Sequence, residues 1–285
     1  MSSAKTMKAW AIKINTLNEV PEAFRDAIEA SLESDSGFTQ MVYAPQNKHT
    51  GKPACDTMMV STPEEIHFFL KEATGVHQVS YMFSELQAVQ LGTVLLQSWI
   101  RIFGHSDTDY QETTLYFDTV MEDLFVPVVE SARLKATGLS PQGDPPKVGV
   151  LDRLMDESMK FLNYGKQSLL PGQQVKAMVY QPRAKGEKTT GETHETAPHL
   201  TLLTNEELIL IQETKQEASA TQKYSGIWTY IPLNQMTHTK LEASKQDGWE
   251  TLTIKIKGQQ PFVVLYEAAN RQEIEALVTQ LPSMN

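Results

Sequence analysis

The feature that most constrains this chain is an internal repeat. Gln-Met-Val-Tyr-Ala-Pro at 40–45 recurs as Ala-Met-Val-Tyr-Gln-Pro at 177–182, so that four of six residues match at an offset of 137. In each copy an apolar run, a Thr-x-Glu-Glu tetrapeptide and a second apolar run follow, at 58–70 and at 200–211. Similarity of this kind indicates that one supersecondary unit is used twice. We therefore predict two tandem copies of the same unit.

The tetrapeptides predict β-hairpins. Proline or asparagine after Thr62 and Thr204 favours a tight reversal, and we expect the paired glutamates of both turns to sit in solvent. Downstream, residues 99–104 and 253–258 alternate apolar and polar side chains, as half-buried strands do. Residues 10–14 alternate in the same way. They could add a strand to a sheet edge in this molecule or in another.

Amphipathic helices are predicted on both sides of each run of strands. Apolar residues recur at helical spacing from Phe24 to Leu32 before the first copy, and from Leu151 to Leu162 before the second. Similar stripes end the two copies, at 121–129 and at 274–281. Pro127 lies inside the earlier stripe, where we expect it to kink or delay the helix.

The segment between the copies predicts the domain organisation. Residues 138–149 are rich in glycine and proline and poor in apolar residues, as linkers are. We therefore predict a first unit at 1–137, a linker and helix at 138–170, and a second unit at 171–285. Six or seven short strands with one closing helix predict an α+β, mainly β fold. Each unit would be a bent antiparallel sheet or partly open barrel capped by its C-terminal helix.

This pattern resembles that of the bacterial pleckstrin-homology-like (PH-like) domains. The resemblance is carried by the Thr-x-Glu-Glu hairpins, the Tyr-Ile-Pro-Leu segment at 230–233 and the closing helix at 271–281. It covers most of the second unit and, more loosely, the first. The resemblance implies two tandem PH-like units that bind lipids, peptides or other proteins. It implies a scaffold and not a particular activity.

The lipid-binding members of that family use a basic loop between their first two strands. The corresponding loops here are 47–52 and 183–194, of which the second is noticeably basic. Arg183, Lys185 and Lys188 in that loop are therefore the candidate residues for an anionic ligand. The cluster is sparse and contains a glutamate, which disfavours phosphoinositide binding.

Motifs for catalysis or metal binding do not emerge from the sequence. His194 and His199 are five residues apart with Pro198 between them, so they do not share a helix face as metalloprotease ligands do. Cys55 is the single cysteine, which excludes an intramolecular disulfide and a cysteine-based metal site. We interpret Cys55 as a structural thiol. The sequence predicts a protein that is not an enzyme and has no cofactor.

Charge and hydropathy narrow the choice of partners. The net charge is −10, and residues 1–140 hold 18 acidic and 10 basic side chains, which disfavours nucleic acid. No apolar run approaches the roughly 18 residues that span a bilayer, and the N-terminus lacks the apolar region of a signal peptide, so we expect a cytoplasmic protein.

Three functions remain open on the sequence. The chain could be a scaffold that binds a protein or peptide or forms a homo-oligomer. It could be a peripheral lipid-binding protein, or it could bind a small molecule in a cleft between the units. We favour the scaffold, because duplication raises avidity or encloses a site.

Overall fold

The computed structural model describes residues 10–31, 37–46, 55–94, 96–106, 109–187, 193–213 and 225–281, with the backbone alone at 186, 187 and 193–195. The chain divides into two compact units, Met1–Ala136 and Thr137–Asn285. Both are built mainly from antiparallel strands, so the predicted α+β, mainly β class is confirmed.

The described part of the first unit contains a five-stranded sheet, a three-strand meander and two helices. In chain order its elements are β1 (Ile12–Ile14), α1 (Glu22–Ser31), β2 (Gln40–Ala44), β3 (Thr57–Ser61), β4 (Glu65–Glu72), β5 (Gly75–Met82), β6 (Ala88–Val94), β7 (Gln97–Ser106), β8 (Asp109–Asp118) and α2 (Val126–Thr137). Strands β1 to β5 are neighbours in chain order, and β6, β7 and β8 pair antiparallel in the same way. Pro127 lies in the first turn of α2, where its missing N–H is tolerated.

Helix α1 packs on one face of the five-stranded sheet, and strand β1 forms one of its edges. The alternating segment at 10–14 forms β1, which pairs antiparallel with β2 within its own unit. Helix α1 buries Phe24 and Ile28, as its stripe predicts. The buried cluster at this face consists of Ile14, Val20, Phe24, Ile28, Met41, Met58, Val60 and Phe69. All five residues of β3 are buried, so both of its faces lie in the interior, which explains the consecutive apolar residues Met58, Met59 and Val60.

The second unit has a similar set of elements. In chain order these are α3 (Leu154–Glu157), α4 (Met159–Gln167), β9 (Val175–Gln181), β10 (Ala184–Glu187), β11 (Thr193–Thr196), β12 (His199–Thr204), β13 (Glu207–Gln212), β14 (Gly226–Pro232), β15 (Met236–Ala243), β16 (Trp249–Ile256), β17 (Phe262–Glu267) and α5 (Arg271–Val278). Strand β12 pairs with both β9 and β13, and β13 pairs with β14. Strands β10 and β11 form a separate hairpin, and β15, β16 and β17 form an antiparallel sheet.

The helical stripe before the second copy is broken, unlike the continuous helix that its spacing predicts. Ser158 has extended backbone angles between α3 and α4, and its Oγ accepts a hydrogen bond of 3.4 Å from the amide of Phe161. A serine in this position caps the N-terminus of the following helix. Helix α4 then buries Phe161 and Leu162. Helical periodicity continues through the break, which is why the spacing does not reveal it.

The predicted linker is hydrogen-bonded to the second unit. The amide of Lys147 donates to the carbonyl of Gln173 at 2.9 Å, and the amide of Val175 donates to the carbonyl of Lys147 at 3.1 Å. Lys147 thus bridges to the start of β9. Residues 144–147 therefore extend the packing of the second unit and do not act as a free spacer.

The repeated hairpin turns have the same hydrogen bonds in both units. Thr62 Oγ1 accepts from the amides of the second and third residues after it, at 3.3 and 3.0 Å, and Thr204 Oγ1 does so at 3.2 and 2.9 Å. The expectation that all four glutamates sit in solvent is wrong for Glu207. It is fully buried, and Gln173 Nε2 donates to its carboxylate at 2.6 Å.

The two units share one order of elements. Four strands, a 3-10 turn, three strands, a second 3-10 turn and a helix follow one another in each: β2 to α2 in the first and β9 to α5 in the second. The β10–β11 hairpin is an addition to this order between β9 and β12. The sequence repeat therefore extends to the order of the described elements.

Side-chain hydrogen bonds join the two sheets of the second unit. The Tyr266 hydroxyl on β17 is hydrogen-bonded to Thr201 Oγ1 on β12, and both groups are buried. Gln181 at the end of β9 is also buried; its Nε2 donates to Glu267 Oε2 at 3.0 Å, and its Oε1 accepts from the Glu267 amide at 2.8 Å. Helix α5 packs against β9 and β15. These contacts hold β9 and β12 against the C-terminal end of β17.

Candidate functional site

A pocket of about 300 Å³ lies in the second unit where the ends of β12, β13 and β14 approach β17. It is lined by Thr196, Ala197, His199, Gln212, Glu213, Ile227, Val263 and Leu265. The register explains how three strand ends meet there. His199, Gln212 and Ile227 are successive cross-strand partners on β12, β13 and β14. Val263 and Leu265 alternate along β17 and supply an apolar wall.

His199 is the most unusual residue of the pocket. Its side chain faces β17, where its ring lies 4.8 Å from that of Tyr266, and 3% of its surface is exposed. Burial lowers the pKa of His199 to about 4, so the imidazole is neutral at pH 7. Nδ1 lies 3.0 Å from the carbonyl oxygen of Ala197. Because a carbonyl can only accept, Nδ1 carries the proton and Nε2 is left with a lone pair.

That lone pair is not used within the described part of the chain. His199 Nε2 is buried and has no hydrogen-bond partner among the described residues, and the same holds for Thr196 Oγ1. Buried polar groups in proteins are nearly always paired. The pocket therefore has two buried polar groups that the described residues leave unpaired.

Glu213 brings a carboxylate to the pocket with its charge already compensated. Its amide donates to the carbonyl of Pro198 at 3.1 Å, which extends the β12–β13 ladder and places Glu213 beside His199. Its Oε1 accepts from Lys160 Nζ at 2.7 Å, and its Oε2 lies 3.5 Å from Arg183 Nη2. The Glu213 side chain is 17% exposed. Two cations beside one half-buried carboxylate remove most of its attraction for a third cation.

The sequence-predicted anionic-ligand loop is only partly brought together. Arg183 precedes β10 and is paired with Glu213. Lys185 is exposed on β10, opposite Glu195 in the register with β11. Lys188 lies outside the described residues, as do residues 47–52 of the corresponding first loop. Of the two described basic residues, Arg183 is thus already paired with a carboxylate.

The other chemistries weighed on the sequence find no further support. Within the described ranges, no three His, Cys, Asp or Glu residues are grouped so as to hold a metal ion. Cys55 is half-buried, with Sγ 3.8 Å from Thr57 Oγ1. Among the described helices, none combines the length and the apolar character that crossing a bilayer requires.

Comparison with known proteins does not assign the chain to a family: no family model matches it, and no curated protein matches it significantly.

In the sequence His199 stands out only as a candidate metal ligand, and no local pattern reveals the pocket. The sequence feature that could have indicated a buried histidine is the position of His199 between Pro198 and the apolar run of β12, where a buried strand begins. The partners from β13, β14 and β17 are 13 to 66 residues away in sequence, and only the fold brings them to His199.

Proposed function

We propose that this chain is a non-catalytic binding protein of two tandem PH-like units, and that the second unit binds a segment of a partner protein in the His199 pocket. The shared order of four strands, three strands and a closing helix supports the PH-like assignment, since the resemblance implies this order. The observation that carries the proposed function is the pocket itself. It combines an apolar wall with hydrogen-bonding groups that the described residues do not satisfy.

The dimensions of the pocket suit a peptide. A volume of about 300 Å³ is at the small end for sites that enclose a drug-sized ligand or cofactor. It accommodates one apolar side chain together with its backbone amides. Ile227, Val263 and Leu265 then contact the side chain, and the N–H groups of the peptide supply donors for His199 and Thr196.

A lipid headgroup has less support at this place. Arg183 and Lys160 are both paired with Glu213, so a phosphate would have to compete with that carboxylate for them and would be repelled by it. Lys185 is a further exposed cation in the described part of this loop. A second copy of the chain is one candidate for the partner protein, and self-association of the purified protein identifies it.

The test selects peptides from a phage-displayed library on the immobilised full-length protein and measures their affinity by fluorescence anisotropy. Val263 is 55% exposed at the pocket, and Val120 in the first unit is 65% exposed elsewhere, so V263E and V120E form a matched pair. We expect V263E to weaken peptide binding by about tenfold or more, because a charge replaces an apolar contact worth about 1.4 kcal/mol. V120E should leave the affinity unchanged.

Two controls decide the outcome. Analytical ultracentrifugation of the protein alone shows whether a second copy is the partner; self-association that V263E abolishes would support the proposal. Sedimentation with phosphatidylserine vesicles at low salt tests the lipid alternative, since electrostatic attraction is strongest there. Vesicle binding without any selected peptide or self-association would overturn the proposal, and so would peptides whose affinity V263E does not change.

A further inference from the structure

The first residues of β3 and β12 occupy corresponding places in the two units, five residues before the threonine of the repeated turn. In the first unit this residue is Thr57, whose Oγ1 donates to the carbonyl of Cys55 at 3.2 Å. In the second unit it is His199, whose Nδ1 donates to the carbonyl of Ala197 at 3.0 Å. The same hydrogen bond, to the carbonyl two residues earlier, is made by two different side chains.

The two side chains differ in the second ring nitrogen, which only the histidine has. A threonine makes the local hydrogen bond with its hydroxyl and has no further polar group. The imidazole satisfies the same bond and carries a second nitrogen, Nε2, which is buried and has no partner in the described chain, and the residue as a whole lines the pocket of the second unit. Since a smaller residue can make the local bond without leaving a buried acceptor unpaired, the fold does not require histidine here. Ligand binding gives a reason for it.

We propose that His199 Nε2 accepts a hydrogen bond from an uncharged N–H or O–H group of the ligand, whose apolar part packs on Ile227, Val263 and Leu265. This deepens the proposed function, on which it rests for the pocket being a binding site, by naming the ligand class. An amide N–H of a peptide is one member of that class, and a hydroxyl is another.

The surroundings of His199 exclude charged groups as preferred ligands. A carboxylate or phosphate would place an acceptor against the Nε2 lone pair and beside the Glu213 carboxylate. A cation would be attracted by Glu213, but Lys160 and Arg183 already lie at both of its oxygens. A neutral N–H or O–H donor is repelled neither by the Nε2 lone pair nor by the Glu213 carboxylate. Thr196 Oγ1 provides a second hydrogen-bonding group for the same donor or for a neighbouring one.

The test compares small probes that differ in the donor alone. p-Cresol and 4-methylanisole share an apolar ring, but the ether has no O–H; isovaleramide and isovalerate share an apolar chain, but the carboxylate has no N–H. Binding to the full-length protein is followed by NMR, using the amide signals of β12 to β14 and the imidazole nitrogen signals of His199. We expect p-cresol to bind about tenfold more tightly than 4-methylanisole, and isovaleramide more tightly than isovalerate. We also expect p-cresol to shift the Nε2 signal as hydrogen bonding does.

The matched variant is H199T, which copies the residue of the first unit and keeps the local bond to Ala197 while it removes Nε2. H199T should remove the preference for p-cresol while 4-methylanisole binds as before. H238F, at an exposed histidine on β15, should change neither. The variant's amide spectrum shows whether β12 is still folded, and H199N provides a second substitution if H199T does not fold.

Three results would overturn the inference: equal binding of each pair by the native protein, a preference that survives in H199T, or an Nε2 signal that p-cresol does not move because an internal water already occupies it. The test is also separable from that of the proposed function. If V263E weakens the binding of selected peptides but the native protein shows no donor preference, the proposed function is supported and this inference is wrong. If the donor preference depends on His199 but no peptide is selected and the protein does not self-associate, this inference is supported and the proposed function is wrong.

Discussion

Replacement of His199 by threonine should change how the stability of the second unit depends on pH. In the folded chain burial lowers the pKa of His199 from 6.5 to about 4. The unfolded chain takes up a proton on this residue below pH 6.5, whereas the folded chain does not until about pH 4. Unfolding therefore binds a proton within this window, and the native protein loses stability as the pH falls through it.

The magnitude follows from the two pKa values. Each unit of difference corresponds to about 1.4 kcal/mol, so the native protein should lose about 2 kcal/mol between pH 7.5 and pH 5 through His199 and about 3 kcal/mol by pH 4. H199T lacks this contribution. The free energy of unfolding of H199T should therefore rise by about 2 kcal/mol relative to that of the native protein when the pH is lowered from 7.5 to 5.

Native-state amide hydrogen exchange in β12 and β13 measures this difference within the second unit, without requiring both units to unfold together. Contributions from other titrating groups, including His67 of the first unit, whose burial also lowers its pKa, cancel between native protein and variant. H238T at the exposed site serves as the control. Stability curves for native protein and H199T that run parallel from pH 7.5 to 5, within about 0.5 kcal/mol, would refute the argument that His199 is buried and neutral.

Two further predictions concern the repeated scaffold. T204V and T62V should each cost about 1–3 kcal/mol in urea denaturation, because valine keeps the shape but leaves two turn amides without their acceptor; a loss in one unit without a similar loss in the other would contradict the equivalence of the turns. Y266F should cost about 1 kcal/mol by breaking the buried bond to Thr201, and T201V combined with Y266F should cost less than the sum of the single changes. Strict additivity in that double-mutant cycle would show that the hydroxyl pair does not join the sheets.

Features determined by neighbouring residues were predictable from the sequence. The strands β3, β4, β12 and β13 and the turns between them follow from apolar runs and from threonine with its following proline or asparagine, all within about a dozen residues. Strand β1 and helix α1 also follow from local periodicity. The observed bounds of these strands and of helix α1 therefore agree with the predicted bounds to within a residue or two.

Features determined by tertiary contacts were not predictable in this way. Glu207 has the same place in the Thr-x-Glu-Glu turn as Glu65, but it is buried and accepts a hydrogen bond from Gln173, 34 residues away in sequence. Ser158 fits a helical stripe, but its side chain caps α4 instead. The pocket depends on contacts among β12, β13, β14 and β17, and its charge balance depends on Lys160 as well as on Arg183. The sequence identified Arg183 as a candidate residue for an anionic ligand, but it did not reveal the pairing of Arg183 with Glu213.

The comparison of the two units separates what the fold needs from what the site needs. Elements found in both copies, such as the turn threonines and the order of strands, stabilise the scaffold and can be explained without a ligand. The features found around the pocket differ: the β10–β11 hairpin ends at Thr196, and His199 stands where the first unit has Thr57. Because burial lowers its pKa, His199 should also make the stability of the second unit fall in acid, whereas a threonine at this position should not. We expect such a difference in a duplicated scaffold where one copy has acquired a binding site: one copy keeps a side chain that should lower its stability in acid, while the other makes the same local bond with a threonine.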